Sequence, residues 1–351
     1  MNLEKLTISL CSLMSISGQE STSRNKLIEL IGEYFDEYKT DAVGNHLFIK
    51  RAAKKNAPTL LIDTHFEEIG MMVTEILDGG FLRVTSVGGL DPSIMQASEV
   101  VIYGKETIYG IVASTPPHLK SADEKGKLKN IDELLIDTGY PQKELESIIR
   151  IGTPVGFMPI YRKLGKNENL LAGKSFDNKA CAAAAICGIA EADRESLAAN
   201  VVLLLSCHEE TVRIGGVAPA AFELKPDYAV VIDVNLAHVP GTEKSETVEM
   251  GEGISVRISA ITDKKLTNMA LEMCEDKGIK AQRCAAPSST GTNTTCLSIV
   301  GQGIPVADIG LPLKNMHTYT EVVDLTDART LADFVREIVL CEKIAEVYGN
   351  E

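Results

Sequence analysis

The chain has 351 residues, 44% hydrophobic and 24% charged, with no tryptophan and a formal net charge of −14 at pH 7. So acidic a surface repels phosphate backbones and anionic headgroups, so neither nucleic acid nor membrane is expected as a partner. The length exceeds what one core commonly fills, which predicts one large domain and one smaller.

Along the chain, Leu3, Leu6, Leu10 and Leu13 recur at helical spacing between polar residues, predicting an amphipathic first helix rather than a secretory signal. No apolar run reaches the length that spans a bilayer. The eight cysteines include no CxxC pair and mostly sit in apolar surroundings such as Ala180-Cys181-Ala182. They are expected to be reduced core residues of a cytoplasmic protein. A second helix is predicted over Ser21 to Tyr38, followed by short strands around the Gly44-Asn45 turn.

Thr59 to Asp63 reads as a buried strand ending in Thr64-His65-Phe66-Glu67-Glu68. A histidine two residues before a carboxylate at a strand end suits a metal-bound imidazole oriented by a second carboxylate, although a lone histidine is more often a surface polar residue. From Met72 to Arg162 the pattern changes to short β-like runs punctuated by glycine, with an exposed loop expected over Thr115 to Lys129. Strands so spaced, without long helices between them, predict a small inserted β-barrel that walls the site or joins subunits.

The α/β pattern resumes at Asn169 to Asp177 and runs into the small-residue stretch Lys179 to Ala190. Asp177 and Asn178 stand where a helix begins, so capping and ligation are both open for Asp177. The run Val201 to Leu205 predicts a strand buried on both faces, ending in His208, Glu209 and Glu210 before a Gly-Gly pair. Asp227 to Asn235 is another buried strand, and it carries Asp233. Ligand sites of open α/β sheets lie at the carboxyl ends of strands, so His65, Glu209, Glu210 and Asp233 point to one crevice. A helix over 262–277, a strand over 279–284 and the hydroxyl-rich loop 286–295 follow. Then come Met316-His317-Thr-Tyr-Thr-Glu321 and a closing helix over 327–347.

Nitrogen and oxygen donors without thiolate suit zinc, cobalt or manganese. Two divalent ions bridged by a carboxylate would polarise a carbonyl and activate water, and one carboxylate outside the ligand set would shuttle the proton to a leaving amine.

The order His65-Phe-Glu-Glu-Ile-Gly, Asp177-Asn-Lys, Glu209-Glu210 before Gly-Gly, Asp233-Val and Met316-His317 resembles the M42 metallo-aminopeptidases over nearly the whole chain. The resemblance extends to Gly88-Gly-Leu-Asp-Pro and Thr115-Pro-Pro-His. It implies a three-layer, mixed-sheet α/β catalytic domain of the phosphorylase/hydrolase kind over 1–72 and 163–351. Residues 73–162 would form an inserted PDZ-like barrel that acts as a dimerisation or lid domain. It also implies an aminopeptidase that takes residues from short peptides and self-associates, as a dimer up to a tetrahedral dodecamer. Residue by residue, Asp177 would bridge two metals, one also held by His65 and Asp233, the other by Glu210 and His317. Glu209 would be general base and acid.

Three departures from the family pattern stand out. Glu67 occupies the position of the usual catalytic-site aspartate two residues after the first histidine. Asn293 replaces the acid of Gly-Thr-Asp-Ala, and Lys314-Asn315 replaces Arg-Tyr before the last histidine. The extra methylene of Glu67 would displace its carboxylate and change how His65 is held, and with Asn293, Lys314 and Asn315 on the substrate side this implies unusual specificity, or a catalytically weak member retained as a peptide-binding or shell-forming scaffold. A glycosidase using paired acids is chemically possible, but it leaves His65 and His317 without a purpose.

Overall fold

The computed structural model describes residues 1–119, 130–166, 168–211 and 215–349; the expected loop at 120–129 lies outside them. Strands in chain order are β1 (Glu37–Thr40), β2 (His46–Lys50) and β3 (Thr59–His65). Next come β4 (Gly70–Leu77), β5 (Phe81–Val87), β6 (Glu99–Tyr103), β7 (Thr107–Val112), β8 (Leu135–Asp137) and β9 (Pro154–Phe157). The chain then forms β10 (Arg162–Lys163), β11 (Leu170–Gly173), β12 (Asn200–Ser206) and β13 (Tyr228–Leu236). It ends with β14 (Ile254–Ile258), β15 (Ala281–Ala285), β16 (Val306–Lys314) and β17 (Glu321–Asp324).

Among the described residues, eleven of these form one mixed sheet in the order β1-β2-β12-β3-β13-β16-β17-β11-β10, with β14 and β15 attached through β16. Its centre, β12, β3, β13 and β16, is parallel. Successive side chains on these strands face opposite layers. Leu60, Ile62, Leu203, Leu205, Val230 and Ile232 pack beneath helices Leu3–Cys11, Phe176–Glu191, Lys264–Lys277 and Leu325–Val339. Leu61, Val202, Leu204 and Val231 pack on the other face, against helices Val217–Leu224 and Thr294–Leu297. Both faces being buried explains why these strands are unbroken apolar runs.

The helix Phe176–Glu191 is buried from Phe176 to Ile189. Its alanines and Gly188 make that possible: a Cβ at Gly188 would lie 2.4 Å from the Ala332 carbonyl oxygen of the helix packed against it. Strands β4 to β9 close on themselves as a six-stranded antiparallel barrel, in the order β4-β5-β8-β7-β6-β9. Its interior holds Met71, Val84, Val100, Ile102, Ile136 and Val155.

Two helix expectations are corrected. The predicted 21–38 helix is regular only over Arg24–Ile31, because Glu37–Thr40 pairs instead with His46–Lys50 as β1 and β2. The closing helix splits into Leu325–Val339 and Glu342–Tyr348, starting from an Asp324 cap whose side chain accepts from the Thr326 N–H. The eight cysteines are free, six of them buried. Among the described residues no helix is long and apolar enough to cross a membrane.

Candidate metal centre

Parallel pairing sets Ser206 of β12 beside His65 of β3, and β13 lies on the other side of β3. The carboxyl ends of three core strands therefore open on one cleft of about 290 Å³, lined by His65, Asp177, Glu209, Glu210, Asp233 and His317 among others. Asp177 does not cap its helix. It and Asn178 have non-helical backbone angles at the helix start, joined by a cis peptide bond, and the Asp177 side chain points into the cleft.

Asp177 divides its two oxygens. Oδ1 lies 3.1 Å from His65 Nε2, and the same nitrogen is 3.6 Å from Asp233 Oδ1. Oδ2 lies 3.5 Å from His317 Nε2, which is 3.3 Å from Glu210 Oε2. His65, Asp177 and Glu210 each offer a ligand atom within 4.8 Å of the others. Glu209 stands beside the pair, Oε2 4.0 Å from His65 Nε2.

Burial, together with the charges of Asp233, Glu210 and Asp177, raises the Glu209 carboxyl to about 9 against the pull of His65. The hydrogen bond that His317 donates to Glu210 leads the effects that raise His317 to about 9. Burial works against protonation of His65, but Asp177 and Asp233 overcome it and hold the imidazole well above its ordinary value. The carboxylates thus create a potential that selects cations, and the donors facing it are imidazole nitrogens and carboxylate oxygens, the set that suits zinc, cobalt or manganese.

The supporting residues differ from the expectation in detail. His65 Nδ1 lies 3.2 Å from the Glu67 carbonyl oxygen and 3.9 Å from its carboxylate, so the main-chain carbonyl orients the ring. The Glu67 carboxylate instead accepts the Glu210 N–H at 3.0 Å, and burial pushes it up to about 8. Asn293 is buried behind the cleft rather than exposed to it. Its amide donates to Asp63 Oδ2 at 2.9 Å and to Ser206 Oγ at 3.1 Å, bracing β3 against β12. Lys314 ends β16 and Asn315 donates to the Thr320 carbonyl at 3.3 Å. The wall at that point is Met316.

Other contributors carried no signal in the sequence. Glu321 accepts the Asp177 N–H at 3.1 Å and the His317 N–H at 3.3 Å, holding both backbones at the cleft. Arg257 lines the cleft and reaches Asp308 Oδ1 at 2.5 Å, while Asp308 Oδ2 accepts from Thr292 and Thr294, which anchors the loop forming the opposite wall. Glu321 lies four residues past His317, and nothing in that spacing assigns it a role. The Arg257–Asp308 pair depends on the β14–β16 register, which local patterning does not encode.

A mixed sheet with this acid and imidazole cluster at its strand ends, and an antiparallel barrel inserted after β3, defines a hydrolase that acts on peptide bonds. The chain belongs to the M42 glutamyl aminopeptidase family, whose model matches residues 44–334; the family comprises metal-dependent peptidases. The lysyl aminopeptidase of Pyrococcus furiosus is 29% identical over 89% of this chain and 89% of its own length. Aminopeptidase APDkam598 of Desulfurococcus kamchatkensis superposes with a TM-score of 0.90 at 25% identity, covering 99% of this chain and 97% of that one. The Pyrococcus horikoshii TET1 peptidase, described as assembling into a tetrahedron or a large octahedral shell, shares the fold. Its TM-score is 0.83 at 24% identity, over 96% of this chain and 99% of that one.

Proposed function

We propose that this chain is a dinuclear-metal aminopeptidase that removes N-terminal residues from short peptides. The observation that carries the reading is the division of Asp177: one oxygen faces His65 and the other faces His317, each beside a further carboxylate. His65, Asp177 and Asp233 would hold one divalent ion, and Asp177, Glu210 and His317 the other. Lewis acidity toward the scissile carbonyl and the attacking water would come from the bound ions.

The rest of the chemistry belongs to the chain. Glu209, outside both ligand sets and largely shielded from solvent, takes the proton of the attacking water and returns it to the leaving amine. Bound cations would draw its carboxyl down from its raised value, favouring the ionised form that can accept the proton. The cleft volume sits at the lower end of small-molecule sites, which suits one or two residues of a peptide.

Residues 1–72 and 163–351 act as the catalytic unit, and 73–162 as the barrel through which copies associate. The outward side of β7 supports that role: Tyr109 is 60% and Ile111 53% exposed there. The P. horikoshii assembly supports a shell of many copies. We place the protein in the cytoplasm, where eight free cysteines stay reduced.

The test is turnover of a broad aminoacyl and dipeptide panel by protein loaded in turn with zinc, cobalt and manganese. Chelator-sensitive release of N-terminal residues is expected. No cleavage across the panel, or cleavage indifferent to chelator, would contradict the reading.

A further inference from the structure

The described residues contain a second group able to hold a cation, and the peptidase chemistry does not use it. Glu20, Cys207 and His208 each present a ligand atom, a carboxylate oxygen, a sulfur and a ring nitrogen, all within 4.8 Å of one another. Glu20 and Cys207 are buried, and His208 is half-buried at the mouth.

The contacts around the sulfur are unusual for a structural thiol. Sγ lies 3.2 Å from the Val43 carbonyl oxygen, 3.2 Å from Asn45 Oδ1 and 3.8 Å from His208 Nδ1, with the Glu20 carboxylate close by. A thiol has one proton and can satisfy one acceptor at a time. A cation at the centre of the ring would satisfy several. Glu67 and Asp41 also act on Cys207 as negative charges. Among the described residues no lysine or arginine forms an ion pair with Glu20, though a buried carboxylate ordinarily has one.

The spacing also fits. Tetrahedral zinc, with a bond of about 2.3 Å to sulfur and about 2.0 Å to nitrogen, separates those two ligands by roughly 3.5 Å. The Sγ to Nδ1 distance here is 3.8 Å.

We infer that Glu20, Cys207 and His208 form a third cation site, separate from the cleft, which takes one thiophilic divalent ion of the zinc class with solvent as the remaining ligand. Coordination releases the Cys207 thiol proton to solvent; no electron transfer is involved. The position gives the ion a consequence. His208 adopts a left-handed backbone with φ 63° and immediately precedes Glu209 and Glu210. Thr211, next after Glu210, touches Ser17 through their hydroxyls at 2.9 Å. An ion gripping Cys207 and His208 from Glu20 pins the turn that presents the two catalytic-cleft glutamates.

The test separates this site from the cleft, because the proposed cleft ligands contain no sulfur. Full-length protein is stripped with chelator and titrated with cobalt(II) under reducing conditions, following absorbance and bound metal. A near-ultraviolet sulfur-to-cobalt charge-transfer band is expected, its final intensity that of one thiolate-bound cobalt per chain, over and above the cobalt taken up by the cleft. Cys207→Ser should abolish the band and lower bound cobalt by one per chain. His208→Gln, at a half-exposed position that leaves the core intact, should weaken that one cobalt by about tenfold or more. Saturation with cobalt without the band, a band undiminished in Cys207→Ser, or an unchanged affinity for the band-giving cobalt in His208→Gln would each overturn the inference.

Discussion

Glu209 and Glu210 are sequence neighbours that face different partners, His65 for one and His317 for the other. On a strand adjacent side chains diverge; here β12 has already ended at Ser206 and His208 turns the chain with a positive φ. Both carboxylates can therefore enter one cleft. If Glu209 moves the proton while Glu210 holds metal, Glu209→Gln should lower kcat by about 10²–10⁴-fold with bound metal unchanged. Steady-state kinetics beside metal analysis checks this, and loss of metal together with activity would reassign Glu209 to the ligand set.

The polar residues that follow apolar runs, His65, Glu209, Glu210 and Asp233, were visible because core strands leave few reasons for such residues at their ends. What could not be read was which atom of Glu67 faces His65. An extra methylene relative to aspartate suggests a displaced carboxylate, yet the ring is met by the Glu67 carbonyl oxygen and the carboxylate supports Glu210 instead. Nor could Asn293 be placed behind the cleft, since its partners Asp63 and Ser206 lie on two other strands.

At the scale of elements, the turn after β3 is fastened by a buried ion cluster. Glu68 sits between Lys174 and Lys179, with Ser175 also donating to it. It thereby ties the β3 turn to the end of β11 and to helix Phe176–Glu191, the elements that carry His65 and Asp177. Burial alone would raise the Glu68 carboxyl, but the two lysines reverse that and hold it down at about 2, against an ordinary value of 4.5.

Because the folded value is the lower one, the stabilisation is fully present above the unfolded value and is lost as pH falls from 4.5 toward 2. Glu68→Gln should therefore destabilise the chain by roughly 3 kcal/mol at neutral pH. The gap from wild type should narrow below pH 4.5. Urea unfolding of both proteins between pH 7 and pH 3 measures it, and a gap that stays constant across that range would contradict the account. This cluster was illegible in the sequence because its members come together only through the fold, across more than a hundred residues of chain.

For the whole molecule, the layer order and the barrel insertion were legible for a physical reason. Strands buried on both faces are continuous apolar runs, whereas barrel strands such as β7 alternate, with Ile108, Gly110 and Val112 inward and Thr107, Tyr109 and Ile111 outward. That alternation leaves Tyr109 and Ile111 on the outside, where an acidic monomer has little use for them. Light scattering should give a mass several times the 37.9 kDa chain. Tyr109→Glu combined with Ile111→Asp should reduce it without unfolding the protein. A monomeric wild type, or an assembly indifferent to both substitutions, would remove the barrel face from the account.

The proposed dinuclear centre is tested most directly by anomalous diffraction from zinc-loaded crystals, collected on both sides of the zinc absorption edge. The account predicts two peaks in the cleft sharing Asp177, one beside His65 and Asp233 and the other beside Glu210 and His317. A single cleft peak, or zinc bound without Asp177 between two ions, would contradict it.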